Sequence, residues 1–290
     1  MTTLAKAQPT IARTQTARKI NWSAIAYYGV LVILALIALF PLYMMFQTSL
    51  KRQVDIMSSE PTWIFEPTLE NYETIFSQQK FDRYLTNSIV VGLGATFLTL
   101  FTAGLASYAL ARMQFPGRGL VAQSTLLIRM VPTAVLAVPI FALWQGYGIE
   151  DGRIGLILFY TALGLPFAIW LLYGFIKQIP IELEEAAIID GCNTFQVFFQ
   201  ILFPLMRAGY AVAAIFTFRI AWNEFLLALI LTNRYTRTLP VETTLYITEQ
   251  GVEWGRIAAM GTVLVIPPLL LTFVSARQII QGMTAGAVKG

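Results

Sequence analysis

The chain has 290 residues, of which 57% are hydrophobic and only 12% charged, well below the roughly 25% charged residues of an average soluble domain. So few polar side chains cannot cover a water-facing surface, which excludes an ordinary soluble domain and predicts a polytopic membrane protein. The single cysteine excludes an internal disulfide, and the chain has no histidine, the commonest general base and metal ligand. The net charge of +4 is typical of basic loops facing anionic lipid and does not indicate nucleic acid.

Six apolar stretches approach or exceed the roughly 20 residues that a membrane-crossing helix needs. The sequence therefore predicts an all-α membrane protein with six transmembrane helices, at residues 24–46, 85–110, 119–145, 154–176, 208–231 and 257–276. The predicted division is an N-terminal tail at 1–23, a first helix at 24–46, an external loop at 51–83, a core at 85–276 that contains a loop at 177–207, and a C-terminal tail at 277–290.

Two features of these spans are typical of transport proteins. Small residues recur every four positions along the second span and would let another helix approach closely: Ala95, Thr99, Ala103 and Ser107. Prolines interrupt the third, fourth and sixth spans, where they remove backbone hydrogen bonds and kink helices: Pro132, Pro139, Pro166, Pro267 and Pro268.

The loop at 177–207 cannot cross a membrane, because four acidic residues fall within nine positions of it. It predicts two short helices, the first with Pro180 at its first position and glutamates near its positive end. Gly191 suits a left-handed cap after the first helix, and Asn193 or Thr194 can cap the second. The second helix is predicted to present one apolar face, made of Phe195, Phe198, Phe199 and Leu202.

This loop resembles the EAA motif of ABC importer permeases. Glu185-Ala186-Ala187 is followed after three residues by Gly191, and after nine more by Ile201-x-x-Pro204. The family pattern has leucine before the last proline, where this chain has Phe203, a change of one apolar side chain for another. No phosphate-binding G-x-x-x-x-G-K-[ST] sequence occurs in the chain, so an ATP site of that type would have to lie on another polypeptide.

The resemblance implies a type I ABC importer permease fold in the inner membrane, with a cytoplasmic coupling helix and both termini cytoplasmic. The chain itself would bind no cofactor and catalyse no reaction, while ATP and Mg²⁺ bind to partner ATPase subunits. Those partners would be two ATP-binding subunits, a homologous second permease and an external solute-binding protein. The residues implied in ATPase coupling are Glu185, Ala186, Ala187, Gly191, Ile201 and Pro204.

Further motifs resemble the shorter, MalG-like permease of carbohydrate importers, and this resemblance extends over about residues 22–290. They are Pro67-Thr68-Leu69-Glu70-Asn71-Tyr72, Ala221-Trp222-Asn223-Glu224-Phe225 and the terminal Gly286-Ala287-Val288-Lys289-Gly290. The implied function is ATP-driven uptake of a sugar or sugar derivative, with a C-terminal tail that reaches the ATPase pair. The alternatives left open are an ABC permease for a peptide or amino acid and an ion-driven secondary transporter.

Three ionisable side chains fall inside the predicted spans, where each is costly without a partner or a wet cavity. Arg129, Arg219 and Glu224 are candidates, with Asn223, for the translocation pathway or for gating; a static interhelical ion pair is the alternative. A guanidinium suits an anionic sugar derivative. The external loops hold more carboxylates than basic residues, and the sequence alone therefore favours a neutral sugar.

Overall fold

The computed structural model describes residues 22–60, 62–77, 80–148 and 151–276, and these ranges are mostly helical. The helices are α1 (Trp22–Ser49), α2 (Gln53–Ile56), α3 (Glu70–Ser77), α4 (Phe81–Arg112), α5 (Arg118–Ile128), α6 (Thr133–Gly146), α7 (Gly152–Ile176), α8 (Glu182–Ile189), α9 (Thr194–Gln196), a π-helix (Val197–Leu202), α10 (Phe203–Leu205), α11 (Arg207–Asn223), α12 (Leu226–Leu231), α13 (Leu239–Glu242), a 3₁₀ turn (Thr243–Tyr246) and α14 (Trp254–Val274). Strands β1 (Ile247–Thr248) and β2 (Gly251–Val252) form a short antiparallel hairpin. The predicted tails lie outside the described residues, except for Trp22 and Ser23.

Four of the described helices are long and apolar enough to cross a membrane: α1 from Ala26 onward, α4, α7 and α14. They correspond to the first, second, fourth and sixth predicted spans. A fifth could come from the segment Thr194–Leu205 taken together with α11, two pieces bent by 80° relative to each other. The total of six spans stays a prediction.

The third and fifth predicted spans are each broken into two helices. Arg129–Pro132 separates α5 from α6, and Glu224 and Phe225 separate α11 from α12. Pro132 accounts for the first break, since it lacks an N–H and disfavours helical geometry in the residue before it. The other prolines noted in the sequence, Pro139, Pro166, Pro267 and Pro268, lie inside continuous helices.

The chain divides into two units after Met44. The described part of the first unit is the apolar segment of α1 up to that residue. The second unit is built on α4, which packs along α7 and α11, and its buried core includes Val91, Leu156 and Leu172.

The stripe of small residues on α4 is where α7 approaches. All four of its side chains are fully buried. The Ser107 hydroxyl donates to the Ile169 carbonyl of α7 at 3.0 Å, and the Thr161 hydroxyl of α7 donates to the Ala95 carbonyl at 3.4 Å. Direct bonds to the backbone of a neighbouring helix require close packing, so the predicted role of the stripe is confirmed.

The Pro67–Tyr72 motif is hydrogen-bonded to the C-terminal end of α1 and the residues after it. The Asn71 amide donates to the carbonyls of Ser49 and Lys51 at 2.9 Å each, and the hydroxyls of Tyr72 and Ser49 are hydrogen-bonded at 2.7 Å. Carbonyls at the end of a helix have no partner within the helix. The motif therefore has a structural role in this chain.

A buried carboxyl lies in the segment between α12 and α14. Glu242 is only 3% exposed, and its Oε2 has no hydrogen-bond partner among the described residues. Burial raises the pKa of Glu242 to about 7, although Arg237 and Lys80 act in the opposite direction. The carboxyl is therefore held in a site that favours its neutral form.

Glu242→Gln is expected to change how stability depends on pH. The pKa of Glu242 in the folded protein lies above the ordinary value of about 4.3. The neutral carboxyl therefore contributes its full stabilisation below a pH of about 4.3 and loses it as the pH rises to about 7. We expect wild type to lose on the order of 3 kcal/mol over this range relative to the glutamine variant. Thermal unfolding between pH 4.5 and 8 measures this. Glu249→Gln, an exposed position in the same segment, is the control and should follow wild type; parallel curves for Glu242→Gln and wild type would contradict the prediction.

Candidate functional site

The first part of the candidate site is α8 and the turn that ends it. Three glutamates occupy its first turn, where the positive end of the helix dipole stabilises them. Gly191 has φ of +92°, and the amides of Gly191 and Cys192 donate to the carbonyls of Ile188 and Ala187. This is a Schellman C-cap, which confirms the left-handed glycine predicted from the sequence.

The segment after the turn differs in part from the prediction. Asn193 caps α9 and forms a reciprocal capping box with Gln196, as expected. Pro180 is not the first helical residue, because α8 begins at Glu182 with Ile181 as its N-cap. The single aromatic face is also wrong: Phe198 and Leu202 are buried, whereas Phe195 and Phe199 are exposed. The π-helix over 197–202 changes the angular spacing and separates the two pairs.

Helix α8 has one side against the protein and one side free. On α8, Ala187 is buried, whereas Glu185 and Ala186 are exposed. Of the predicted coupling residues that follow α8, Ile201 is half-buried, and Gly191 and Pro204 are exposed. Large apolar side chains are also exposed on this loop, including Ile188 at 58%, Ile189 at 85% and Phe195 at 68%. Clustered exposed apolar side chains of this kind mark interaction surfaces.

A buried ion pair fixes α8 to the helical core. The Arg112 Nε, at the end of α4, donates to Glu184 Oε1 at 2.6 Å, and the two side chains are 13% and 6% exposed. Arg112 Nη2 also donates to the carbonyls of Ile176 and Ile179, at 3.0 and 2.7 Å. One guanidinium thus joins the end of α4, the end of α7 and α8.

The second part of the candidate site is the break after α11. The backbone at Glu224, the residue after the last turn of α11, is extended, with φ −70° and ψ 131°. Its carboxylate accepts a 2.7 Å hydrogen bond from the Tyr160 hydroxyl of α7 and bonds from the amides of Leu227 and Ala228 at the start of α12. Glu224 therefore caps α12 and connects it to α7.

Arg129 and Glu224 line one cavity of about 300 Å³. Arg129 follows α5 at the first helix break, and its guanidinium lies 4.9 Å from the centre of the Phe167 ring. Arg219 and Asn223 are exposed on α11. No ion pair among the described residues joins Glu224 to either arginine, so the structure brings together Arg129 and Glu224 without pairing their charges.

Sequence reasoning missed the residues that bond to the predicted ones across the fold. Arg112 follows the end of a predicted span, where a basic residue is common. Tyr160 lies within an apolar run, and no feature of the sequence marks it. Their partners are 72 and 64 positions away. An acid within a span indicates that a buried partner or a wet cavity exists, but not which residue the partner is, and an acid in a loop gives no such indication.

The family model for the binding-protein-dependent transport system inner membrane component matches residues 95–285. The trehalose transport system permease protein SugB of Mycobacterium tuberculosis is 38% identical, covering 87% of this chain and 93% of that protein. The sulfoquinovosyl glycerol transport system permease protein SmoH of Agrobacterium fabrum is 37% identical, covering 89% and 91%. Among solved structures, a bacterial ABC transporter involved in the import of the acidic polysaccharide alginate has a similar fold, with a TM-score of 0.74 at 20% identity over 93% of this chain and 99% of that one.

The structural likeness supports the expected importer permease fold, and the sequence matches extend over most of the chain. The matched family and relatives are transport permeases and not catalytic enzymes. The chain therefore belongs to the family of inner membrane components of binding-protein-dependent transport systems, as a multi-pass permease subunit of an ABC transporter.

Proposed function

We propose that this chain is the permease subunit of an importer for a sugar or sugar derivative, and that α8 transmits the work of ATP hydrolysis to the helical core. The relatives named above are permeases for trehalose and for sulfoquinovosyl glycerol, and this supports the sugar class. In the proposed assembly, ATP and Mg²⁺ bind to two partner ATPase subunits, and a second permease and an external solute-binding protein complete the complex.

The observation that carries the coupling role is the anchoring of α8 by Arg112. The ion pair and its two carbonyl bonds hold one side of α8 against the ends of α4 and α7. The other side exposes Glu185 and Ala186 together with Ile189. A rigidly held helix with a free apolar and acidic face is suited to pass a displacement of a docked ATPase to the helices behind it.

This arrangement favours a protein partner over a lipid surface. The first turn of α8 is acidic, and anionic lipid would repel it. Docking to ATPase subunits requires the loop to lie in the cytoplasm, which would place both termini on that side. A permease for a peptide or amino acid would use the same loop, so only the transported solute separates the two possibilities.

The test is purification of the tagged chain with its natural partners, followed by reconstitution and ATPase assays. We expect an ATP-binding subunit and a second permease to co-purify. Uptake should require ATP and should be found for sugars among a panel of sugars, amino acids and peptides. Uptake that depends on an ion gradient, without ATP-binding partners, would contradict the proposal; uptake of peptides or amino acids alone would contradict the sugar class.

Gly191→Val should lower uptake strongly in that complex, whereas Gly191→Asn should retain much of it. A side-chain carbon added to Gly191 would meet no atom within 4 Å, so the effect comes from the backbone and not from a clash. A left-handed conformation costs an L-residue roughly 1–2 kcal/mol, and asparagine tolerates it best. Uptake, ATPase rate and membrane abundance should be measured together. Equal uptake by the valine variant and wild type would show that the turn does not determine coupling.

A further inference from the structure

Two arginines flank one aromatic pair in the helical core. The rings of Phe167, on α7, and Phe216, on α11, lie 5.1 Å apart. The Arg129 guanidinium is 4.9 Å from the centre of the Phe167 ring, and the Arg219 guanidinium is 5.8 Å from that of Phe216. We call these four residues the arginine–phenylalanine cluster; three separate helical segments contribute to it.

No ion pair in the described part of the chain joins either cation of the cluster to a carboxylate. The ion pairs found there join other residues. Glu224 lines the same cavity as Arg129, but its carboxylate is occupied by the Tyr160 hydroxyl and the first amides of α12. Both arginines are exposed, so their N–H groups remain available to a ligand.

The cluster lies deep within the helices. Phe167 is nine residues before the end of α7, or about 14 Å along the helix axis, and Arg219 is twelve residues, or about 18 Å, from the start of α11. A bilayer core is about 30 Å thick, so both positions are near its middle. An arginine facing hydrocarbon there costs several kcal/mol, and this face is therefore expected to border water or solute.

We propose that the arginine–phenylalanine cluster is an anion subsite of the translocation pathway, and that the transported solute is a sugar derivative with a carboxylate, sulfonate or phosphate group. The guanidinium is planar and binds such groups through paired N–H bonds, and the exposed ring of Phe216 offers an apolar surface to the sugar. This inference rests on the proposed function and adds the charge of the substrate.

The predicted external loops hold more carboxylates than basic residues. The pairs of Asp151 with Arg153 at 2.7 Å and of Glu253 with Arg256 leave this excess unchanged, because each pair contains one charge of either sign. Burial raises the pKa of Glu242 to about 7 and so reduces its negative charge near neutral pH. The proposed subsite therefore depends on the cluster itself and not on the charge of the loops.

The test uses the reconstituted complex with its binding protein and matched solute pairs that differ at one carbon, such as glucuronosides, with a carboxylate at C6, and glucosides of the same aglycone, with a hydroxymethyl group there. Uptake is measured for wild type, Arg129→Met, Arg219→Met and the matched control Arg207→Met, an exposed arginine at the start of α11. We expect the anionic member to be transported, each cluster variant to lower its uptake by about tenfold or more, and the control to resemble wild type. Recovery of partner subunits monitors assembly.

Lysine variants at 129 and 219 keep the charge if a methionine variant fails to assemble, and they should retain part of the preference for the anionic solute. Transport of only neutral members, or equal losses of uptake for both members of a pair, would overturn the subsite. Loss of assembly in both the methionine and the lysine variants would assign the arginines a structural role and also overturn it. Absence of uptake for any sugar would instead contradict the proposed function itself.

Discussion

Arg112→Met is expected to abolish coupled uptake and to destabilise the region around α8. The substitution leaves the Glu184 carboxylate 6% exposed without its cation and removes donors from the carbonyls of Ile176 and Ile179. Breaking a buried ion pair in this way costs about 3–5 kcal/mol. Thermal unfolding of the purified complex measures the loss of stability, and ATP hydrolysis with and without solute measures the loss of coupling.

The control for this prediction is a double variant, Arg112→Met with Glu184→Met. It removes the uncompensated carboxylate, so part of the lost stability should return, because two apolar side chains replace a buried ion pair at little cost. Arg118→Met is a second control, since the bonds that Arg118 makes to other described residues are long, 3.4 and 3.5 Å to backbone carbonyls. Wild-type coupling in Arg112→Met would show that the transmission of force does not pass through this ion pair.

The features that sequence predicted correctly depend on residues that are close together in the chain. The Gly191 turn and the Asn193 cap are completed within six residues, and the small-residue stripe on α4 repeats at a single helical spacing. Each of these patterns determines its own local geometry, whatever the rest of the fold does. Local patterns of this kind can be identified without knowing which helices become neighbours.

The features that sequence did not predict depend on contacts between distant residues. The sequence predicts one continuous span at 208–231, yet the helix breaks at Glu224. The carboxylate of Glu224 is bonded there to Tyr160, 64 positions away, and to the amides of α12. Similarly, the motif singles out Glu185, and only the position of Arg112 makes its neighbour Glu184 a buried anchor. The π-helical turn that divides the aromatic residues likewise leaves no periodic signal in the sequence.

Glu224→Ala is expected to destabilise the break between α11 and α12, whereas Glu224→Gln should be much milder. Alanine removes the acceptor of the Tyr160 hydroxyl, a side chain that is 1% exposed, and the cap of the Leu227 and Ala228 amides. Hydrogen bonds to a charged group contribute about 1.5–3 kcal/mol each. We therefore expect the free energy of unfolding to fall by about 3 kcal/mol when the hydrogen bonds of Glu224 are lost together. Glutamine keeps an oxygen that can accept from Tyr160 and the same amides.

The comparison of the two variants also separates a structural role for Glu224 from a role in the pathway. If the carboxylate only holds α7 and α12 together, glutamine should restore both the unfolding temperature and uptake. If its negative charge acts on the solute or on Arg129, which lines the same cavity, glutamine should restore stability but leave uptake changed. Because the carboxylate already accepts from three donors, we expect the first result. Equal destabilisation by alanine and glutamine would contradict the hydrogen-bonding role, since the two variants differ mainly in the presence of that acceptor.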